Sequence, residues 1–337
     1  MKILTKLFEE RRFIKIEDYS CPHSSFYKSE SDGLTIHRVV LDIGLGNEER
    51  NILLFADTHF ATIDQCDIVE NNELVLESYN RRKDAFPLTR TQKNVEKILD
   101  MTSHFDKVVL AGDTLDFLSR GGLNFIKEHV YPCCPQILIL VGNHDDTRIS
   151  GHKGNDDSTR ESREKILAET IKTDIFYHSE KIGDKILLVG MNNCHRRYND
   201  YQKNKFIADI EFAKENDLTI ILVQHEMINT GNPSDAKLPA IYKNSEWCYN
   251  SAYNFYNGKD KIGPEINDNV TREVYELITQ NADVITAVFS GHWHTEAYCE
   301  IKGQYVKGGE VITKNIPQYV VASAAYGDGY AMIITVK

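Results

Sequence analysis

No stretch of this 337-residue chain approaches the ~20 continuous apolar residues of a membrane-spanning helix, so no membrane role is expected. The first segment, Met1 to Tyr19, carries Lys, Glu, Arg and Asp where a secretory signal has its apolar centre, and the expectation is a cytoplasmic protein. Cysteine is sparse and unframed. The seven residues Cys21, Cys66, Cys133, Cys134, Cys194, Cys248 and Cys299 are odd in number, and the adjacent Cys133-Cys134 makes no C-x-x-C pair, so free thiols in a reducing compartment are expected. Basic charge is also short, with 39 Lys and Arg against 50 Asp and Glu and a net charge of -11. Long nucleic acids are usually met by a basic surface, which disfavours one as the main partner while leaving a local basic cleft open.

Repeats, low-complexity tracts and Pro/Gly/Ser-rich linkers are absent as well. The expected organisation is a single domain over 1-337, with a strand-rich N-terminal extension (1-48) and insertions at 61-88 and 228-266 that rim a site. Short apolar runs alternate with helix-like segments. The runs are Ile52 to Ala56, Val108 to Ala111, Ile137 to Val141, Ile186 to Val189, Ile220 to Val223 and Val284 to Phe289, whose length and β-branched content favour buried strands. Between them, Val95, Ile98 and Leu99 recur at helical spacing, Ser158-Thr159-Arg160-Glu161 reads as a capping box, and Phe206 to Ala213 and Val270 to Ile278 follow. Both chain ends look strand-rich, with Tyr319 to Ala322 and Met332 to Val336 the clearest runs. This alternation predicts an α/β layered fold.

Five short motifs each end one of these apolar runs: Asp57-Thr58-His59, Gly112-Asp113-Thr114-Leu115-Asp116, Gly142-Asn143-His144-Asp145, His225, and Gly291-His292-Trp293-His294. The ends of strands are where open α/β sheets place ligands. Each motif has a plain competing reading, a turn aspartate or a satisfied core histidine. Together they supply carboxylates, an amide oxygen and imidazoles, the donor set for two neighbouring divalent cations. One carboxylate can bridge two cations through its two oxygens, and Asp113 is the candidate bridge. His144, beside the amide donor Asn143, is assigned to protonate or hydrogen-bond the substrate, with Asp116 orienting it.

The ordered series Asp57-x-His59, Gly112-Asp113-x-x-Asp116, Gly142-Asn143-His144-Asp145, His225 and Gly291-His292-x-His294 resembles the signature of the calcineurin-like metallophosphoesterases, over residues 50 to 296. The resemblance implies a four-layer α/β sandwich of two mixed β-sheets flanked by helices. It implies one metal on Asp57, His59, Asp113 and His294, and another on Asp113, Asn143, His225 and His292. It further implies in-line attack on phosphorus by a hydroxide between the two cations, with His144 and Asp116 as the catalytic pair. The cofactors expected are two divalent ions, Mn, Fe or Zn, with Mn placed first. Phe117 stands where the protein phosphatases of the superfamily carry a phosphate-gripping arginine. Asp116 stands where purple acid phosphatases carry a tyrosine ligand. Both departures turn the expectation toward phosphodiesterases and small-molecule phosphatases.

Substrate choice is expected in the rim. His195, Arg196 and Arg197 can meet a phosphate, with a solvated charged loop as the equal alternative. Residues 228 to 266 interleave aromatics, Trp247 and Tyr253 among them, with asparagines, a composition suited to stacking a nucleobase but also to a self-packed lid. The favoured substrate is a phosphodiester, a nucleotide or cyclic nucleotide among the candidates. The alternatives are a small-molecule phosphomonoester, an exonuclease substrate, and a non-catalytic scaffold.

Overall fold

The computed structural model describes residues 11–31, 34–45, 48–70, 72–149, 158–228 and 269–337. Every apolar run read from the sequence overlaps a strand. The first sheet contains β1 (Ile14–Lys15), β2 (Ser24–Ser31), β3 (Leu34–Leu41), β4 (Arg50–Phe55), β5 (Lys107–Ala111), β6 (Leu138–Leu140) and β13 (Tyr330–Val336), in the order β1-β2-β3-β13-β4-β5-β6. The second contains β7 (Tyr177–Ile182), β8 (Ile186–Met191), β9 (Thr219–Gln224), β10 (Ile285–Ser290), β11 (Ala297–Lys307) and β12 (Glu310–Val320), ordered β11-β12-β10-β9-β8-β7. Both sheets are mixed. β4, β5 and β6 run parallel, as do β8, β9 and β10, while β13 is antiparallel to β4 and β11 to β12.

The period-2 alternation of strands sorts the side chains into layers. Ile52 and Leu54 of β4 face inward and pack with Val109, Leu140, Leu188, Ile221, Val223 and Phe289, closing the two sheets face to face. Leu53 and Phe55 point the other way, onto Val95, Ile98 and Leu99 of the helix Leu88–Leu99. The second sheet turns Leu187, Val189, Ile220 and Leu222 outward onto Phe206 and Ile210 of the helix Asp200–Glu215 and Val274 and Ile278 of the helix Asn269–Gln280. The result is the helix–sheet–sheet–helix sandwich expected from the sequence.

Both expected strand-rich ends join this architecture: β2 and β3 extend the first sheet, and β13 enters between β3 and β4. The capping box read at Ser158–Glu161 is not formed. Thr159 is the N-cap, its side chain accepting from Ser162 N–H at 3.1 Å, and this register puts Glu161 one residue too early to reach back. Among the described residues, no helix is long and apolar enough to cross a membrane.

Candidate metal centre

The loops that leave β4, β5, β6, β9 and β10 meet at one end of the sandwich and carry the five motifs. Main-chain bonds zip them together: His59 N–H donates to Asp113 O at 3.0 Å, Asp57 N–H to Gly112 O at 3.0 Å, and Gly291 N–H to His225 O at 3.0 Å. Close approach requires glycine at two of the turns. A Cβ on Gly142 would overlap Asp113 N and Oδ1, and one on Gly112, at φ 85°, would enter the His225 ring. Asp57 (φ 55°), His59 (φ 45°), Asp113 (φ 49°), His292 (φ 71°) and His294 (φ 57°) all hold left-handed backbone, which costs each residue energy and is kept where surrounding structure over-determines it.

Among the described residues three donor groups result; one joins His59, Asp116 and His144, and the other two share Asp113. In one of these two, ligand atoms of Asp57, His59, Asp113 and His294 lie within 4.8 Å of one another; in the other, those of Asp113, His225 and His292 do. Asn143 Oδ1 joins the second group, 3.1 Å from His225 Nε2. Within the first, His294 Nε2 lies 2.8 Å from His59 Nε2 and 3.4 Å from Asp57 Oδ1. Asp113 Oδ1 accepts the His144 N–H at 2.8 Å, so Oδ2 is the oxygen that faces both groups, 3.2 Å from His225 Nε2 and 3.9 Å from His59 Nε2.

The donor chemistry fits divalent cations. His59 Nδ1 is hydrogen-bonded to the Asp116 carboxylate at 2.9 Å and His225 Nδ1 to the Ala111 carbonyl at 2.8 Å. Carboxylate and carbonyl only accept, so each Nδ1 carries the proton and each Nε2 is turned toward the shared cluster, the arrangement of metal-ligating imidazoles. Four side chains of these groups, Asp57, His59, Asp113 and His225, and Asp116 behind His59 are almost fully buried. Buried charge at this density calls for compensating positive charge.

The electrostatics agree. Burial raises the Asp57 carboxyl, but His294 and His225 outweigh it and hold it below its ordinary value. Asp113 likewise falls well below, because His225 and His144 overcome its burial. His225 is the converse case: burial pushes it down, and Asp113 and Asp57 carry it up to about 10. Asp145 is pushed up to about 7 by burial and then by Asp113, against the Leu115 and Gly142 N–H groups that donate to it at 2.7 Å each. It clasps the second and third motif loops together.

Asp116 meets both His59 and His144. Its carboxylate faces His59 and Arg82, whereas His144 Nδ1 is 3.5 Å from Oδ1 and makes its close hydrogen bond, 2.8 Å, with the Asp116 main-chain oxygen. A carbonyl holds an imidazole in one tautomer as well as a carboxylate does, and it leaves the carboxylate for another task. Trp293 is buried among core side chains, as a packing residue is.

The rim is partly described. His195, at φ 58°, turns Nε2 to within 3.4 Å of Asp146 Oδ2, and Arg197 lines a cavity of about 330 Å³ with Arg160, Phe176 and Asn199. The Arg196 side chain, Trp247, Tyr253 and most of the 228-266 insertion lie outside the described residues. Four residues that sequence reasoning passed over also belong here. Asn193, at the end of β8, donates to Glu226 O at 2.6 Å and accepts the His225 and Glu226 N–H groups at 3.2 and 2.9 Å. Its place after an apolar run was the signal that marked the five motifs. Phe86 stacks on His59 at 4.6 Å, Tyr326 lies 5.3 Å from His294, and Arg82 grips Asp116. Nothing in the local sequence of these three marks them.

A family model described as calcineurin-like phosphoesterase matches residues 50–296. Among solved structures, the chain is similar to a purple acid phosphatase from yellow lupin (Lupinus luteus), with 9% identity and a TM-score of 0.43 over 96% of this chain and 56% of that one. It is also similar to a dimetal phosphatase from Danio rerio, with 10% identity and a TM-score of 0.38 over 81% of this chain and 87% of that one. The chain thus spans about half the length of the lupin protein. Comparison with curated proteins returns no match.

Proposed function

The chain belongs to the calcineurin-like phosphoesterases, and from that premise we propose that it hydrolyses phosphodiesters, with a nucleotide or cyclic nucleotide as the substrate class and Mn²⁺ as the working metal. The observation that carries the diester reading is the charge around the centre. Arg82 is committed to Asp116, which it holds with two N–H groups at 2.9 and 3.0 Å. Phe117, the next residue, is buried and apolar. Phe117 leaves the position after Asp116 without a guanidinium, and a singly charged diester suits that position better than a doubly charged monoester.

Asp57, His59, Asp113 and His294 would hold one cation, and Asp113, Asn143, His225 and His292 the other. Bound divalent cations supply Lewis acidity that lowers the pKa of water and neutralises charge growing on phosphoryl oxygens. The chain's own residues do the rest. His144 lies at the solvent edge of the cluster with Nδ1–H donated to the Asp116 carbonyl, so Nε2 is the atom that carries a proton in the imidazolium. It would deliver that proton to the leaving oxygen as the phosphorus–oxygen bond breaks. Asp145 and Asn193 keep the loops in register, and Phe86 holds the plane of the His59 ring by stacking on it.

The nucleotide element rests on the aromatic and asparagine content of the 228-266 insertion. The test is hydrolysis of an aryl phosphodiester and an aryl phosphomonoester by metal-depleted protein resupplied with Mn²⁺, Zn²⁺ or Fe²⁺, with His144→Ala as control. Metal-dependent turnover that favours the diester, followed by cyclic nucleotides in a panel, is expected. Preference for the monoester would overturn the diester reading.

A further inference from the structure

Three N–H groups converge on the buried Asp116 carboxylate. His59 Nδ1–H meets Oδ1 at 2.9 Å, while Arg82 donates Nε–H to Oδ2 at 2.9 Å and Nη2–H to Oδ1 at 3.0 Å. A two-pronged guanidinium–carboxylate contact fixes the plane of the carboxylate as well as its position. That plane sets the direction from which Oδ1 accepts the His59 proton, and so the rotation of the imidazole about its own axis. Nε2, on the far side of the ring, then falls among Asp57, Asp113 and His294. The same arginine touches the second support of His59, since its guanidinium carbon lies 4.6 Å from the Phe86 ring and Phe86 stacks on His59 with an interplanar angle of 19°.

The chain places Arg82 with some care. It ends the helix Glu73–Arg82, which is capped by Asn72 and seats Val75 in an apolar cluster with Ala61, Phe86, Phe117 and Ala325. Phe86 N–H then donates to Arg82 O at 2.9 Å, closing the turn that brings the two side chains together. Phe117, directly after Asp116, is a wall of that seat.

In the other donor group His225 is held by different partners, its Nδ1 by the Ala111 carbonyl and its main-chain N–H by the Asn193 side chain. We propose that Arg82 is a positioning residue for one cation of the pair, that of Asp57, His59, Asp113 and His294, acting through Asp116 on His59 and leaving the other cation untouched. The proposal rests on the dinuclear reading above.

The experiment is calorimetric titration of the metal-depleted full chain with Mn²⁺, with bound metal counted by elemental analysis and folding followed by circular dichroism. Wild type is expected to bind two ions. Arg82→Lys keeps a positive charge beside Asp116 but cannot reproduce the fork, so it should fold, bind one ion as wild type does, and bind the other about 10- to 100-fold more weakly. Its turnover should recover at high Mn²⁺, and methylguanidinium should restore tight binding to Arg82→Ala. In an Asp116→Asn background, Arg82→Lys should add little, because both act along one path. Two wild-type affinities in a folded Arg82→Lys, or equal weakening of both sites, would overturn the proposal. Failure of wild type itself to bind two ions would instead overturn the dinuclear reading, and this proposal with it.

Discussion

Asp113 Oδ2 stands 3.2 Å from His225 Nε2, and both side chains are buried at the meeting point of the two donor groups. The contact explains why His225 rises to about 10 despite its burial, and it makes cation binding a proton exchange. At about pH 8, metal binding should expel the His225 proton. The heat of Mn²⁺ binding should then vary with the ionisation enthalpy of the buffer, by about one proton per chain; a buffer-independent heat would contradict the pair.

The same contact sets a pH dependence for the metal-free protein. Between about pH 6.5, the ordinary histidine value, and about 10, the folded chain holds a proton on His225 that the unfolded chain has released. Bound protons favour the folded state there, so stability is lost as pH rises through that window. The thermal midpoint of metal-free protein should fall from about pH 7 to 9, and His225→Gln should flatten the slope.

Removing the shared ligand should be felt at both cations. Asp113→Asn is expected to lower bound metal and to cost several kcal/mol of transition-state stabilisation, about 10³-fold in rate. Unchanged metal content with full activity would refute the shared role of Oδ2.

His144 would meet the proposed substrate through its side chain, while its main-chain N–H holds Asp113 Oδ1. His144→Ala should keep both cations and reduce kcat by about 10²- to 10⁴-fold. The deficit should shrink for substrates whose leaving group is a stable anion, since these do not need the proton.

Asn193 tests the scaffold beneath His225. Its side chain makes three buried hydrogen bonds to the Glu226 carbonyl and to the His225 and Glu226 N–H groups. Asn193→Ala should destabilise the fold by about 1–3 kcal/mol. It should also weaken the cation of Asn143, His225 and His292 more than its neighbour, the reverse of the pattern expected for Arg82.

Much of this protein is written in local pattern. Alternating side chains in runs such as Ile52 to Phe55 specify strands with two buried faces, and two buried faces require a second sheet on one side and helices on the other. The residues of the two donor groups were legible for a related reason: each follows closely on a strand, so its place in the fold is implied by its place in the chain. Other relationships depend on contacts between distant segments. The fork from Arg82 to Asp116 spans 34 residues of sequence, and the turn of the Asp116 carboxylate toward His59 spans 57. In the chain, nothing about Arg81-Arg82-Lys83 singles out Arg82, and the seating of Val75 beside Phe117 brings it to Asp116. Sequence by itself therefore determined which chemistry the chain can carry. Tertiary structure decided which carboxylate steadies which imidazole, because hydrogen-bond direction follows from where packed elements stop and not from the order of residues along them.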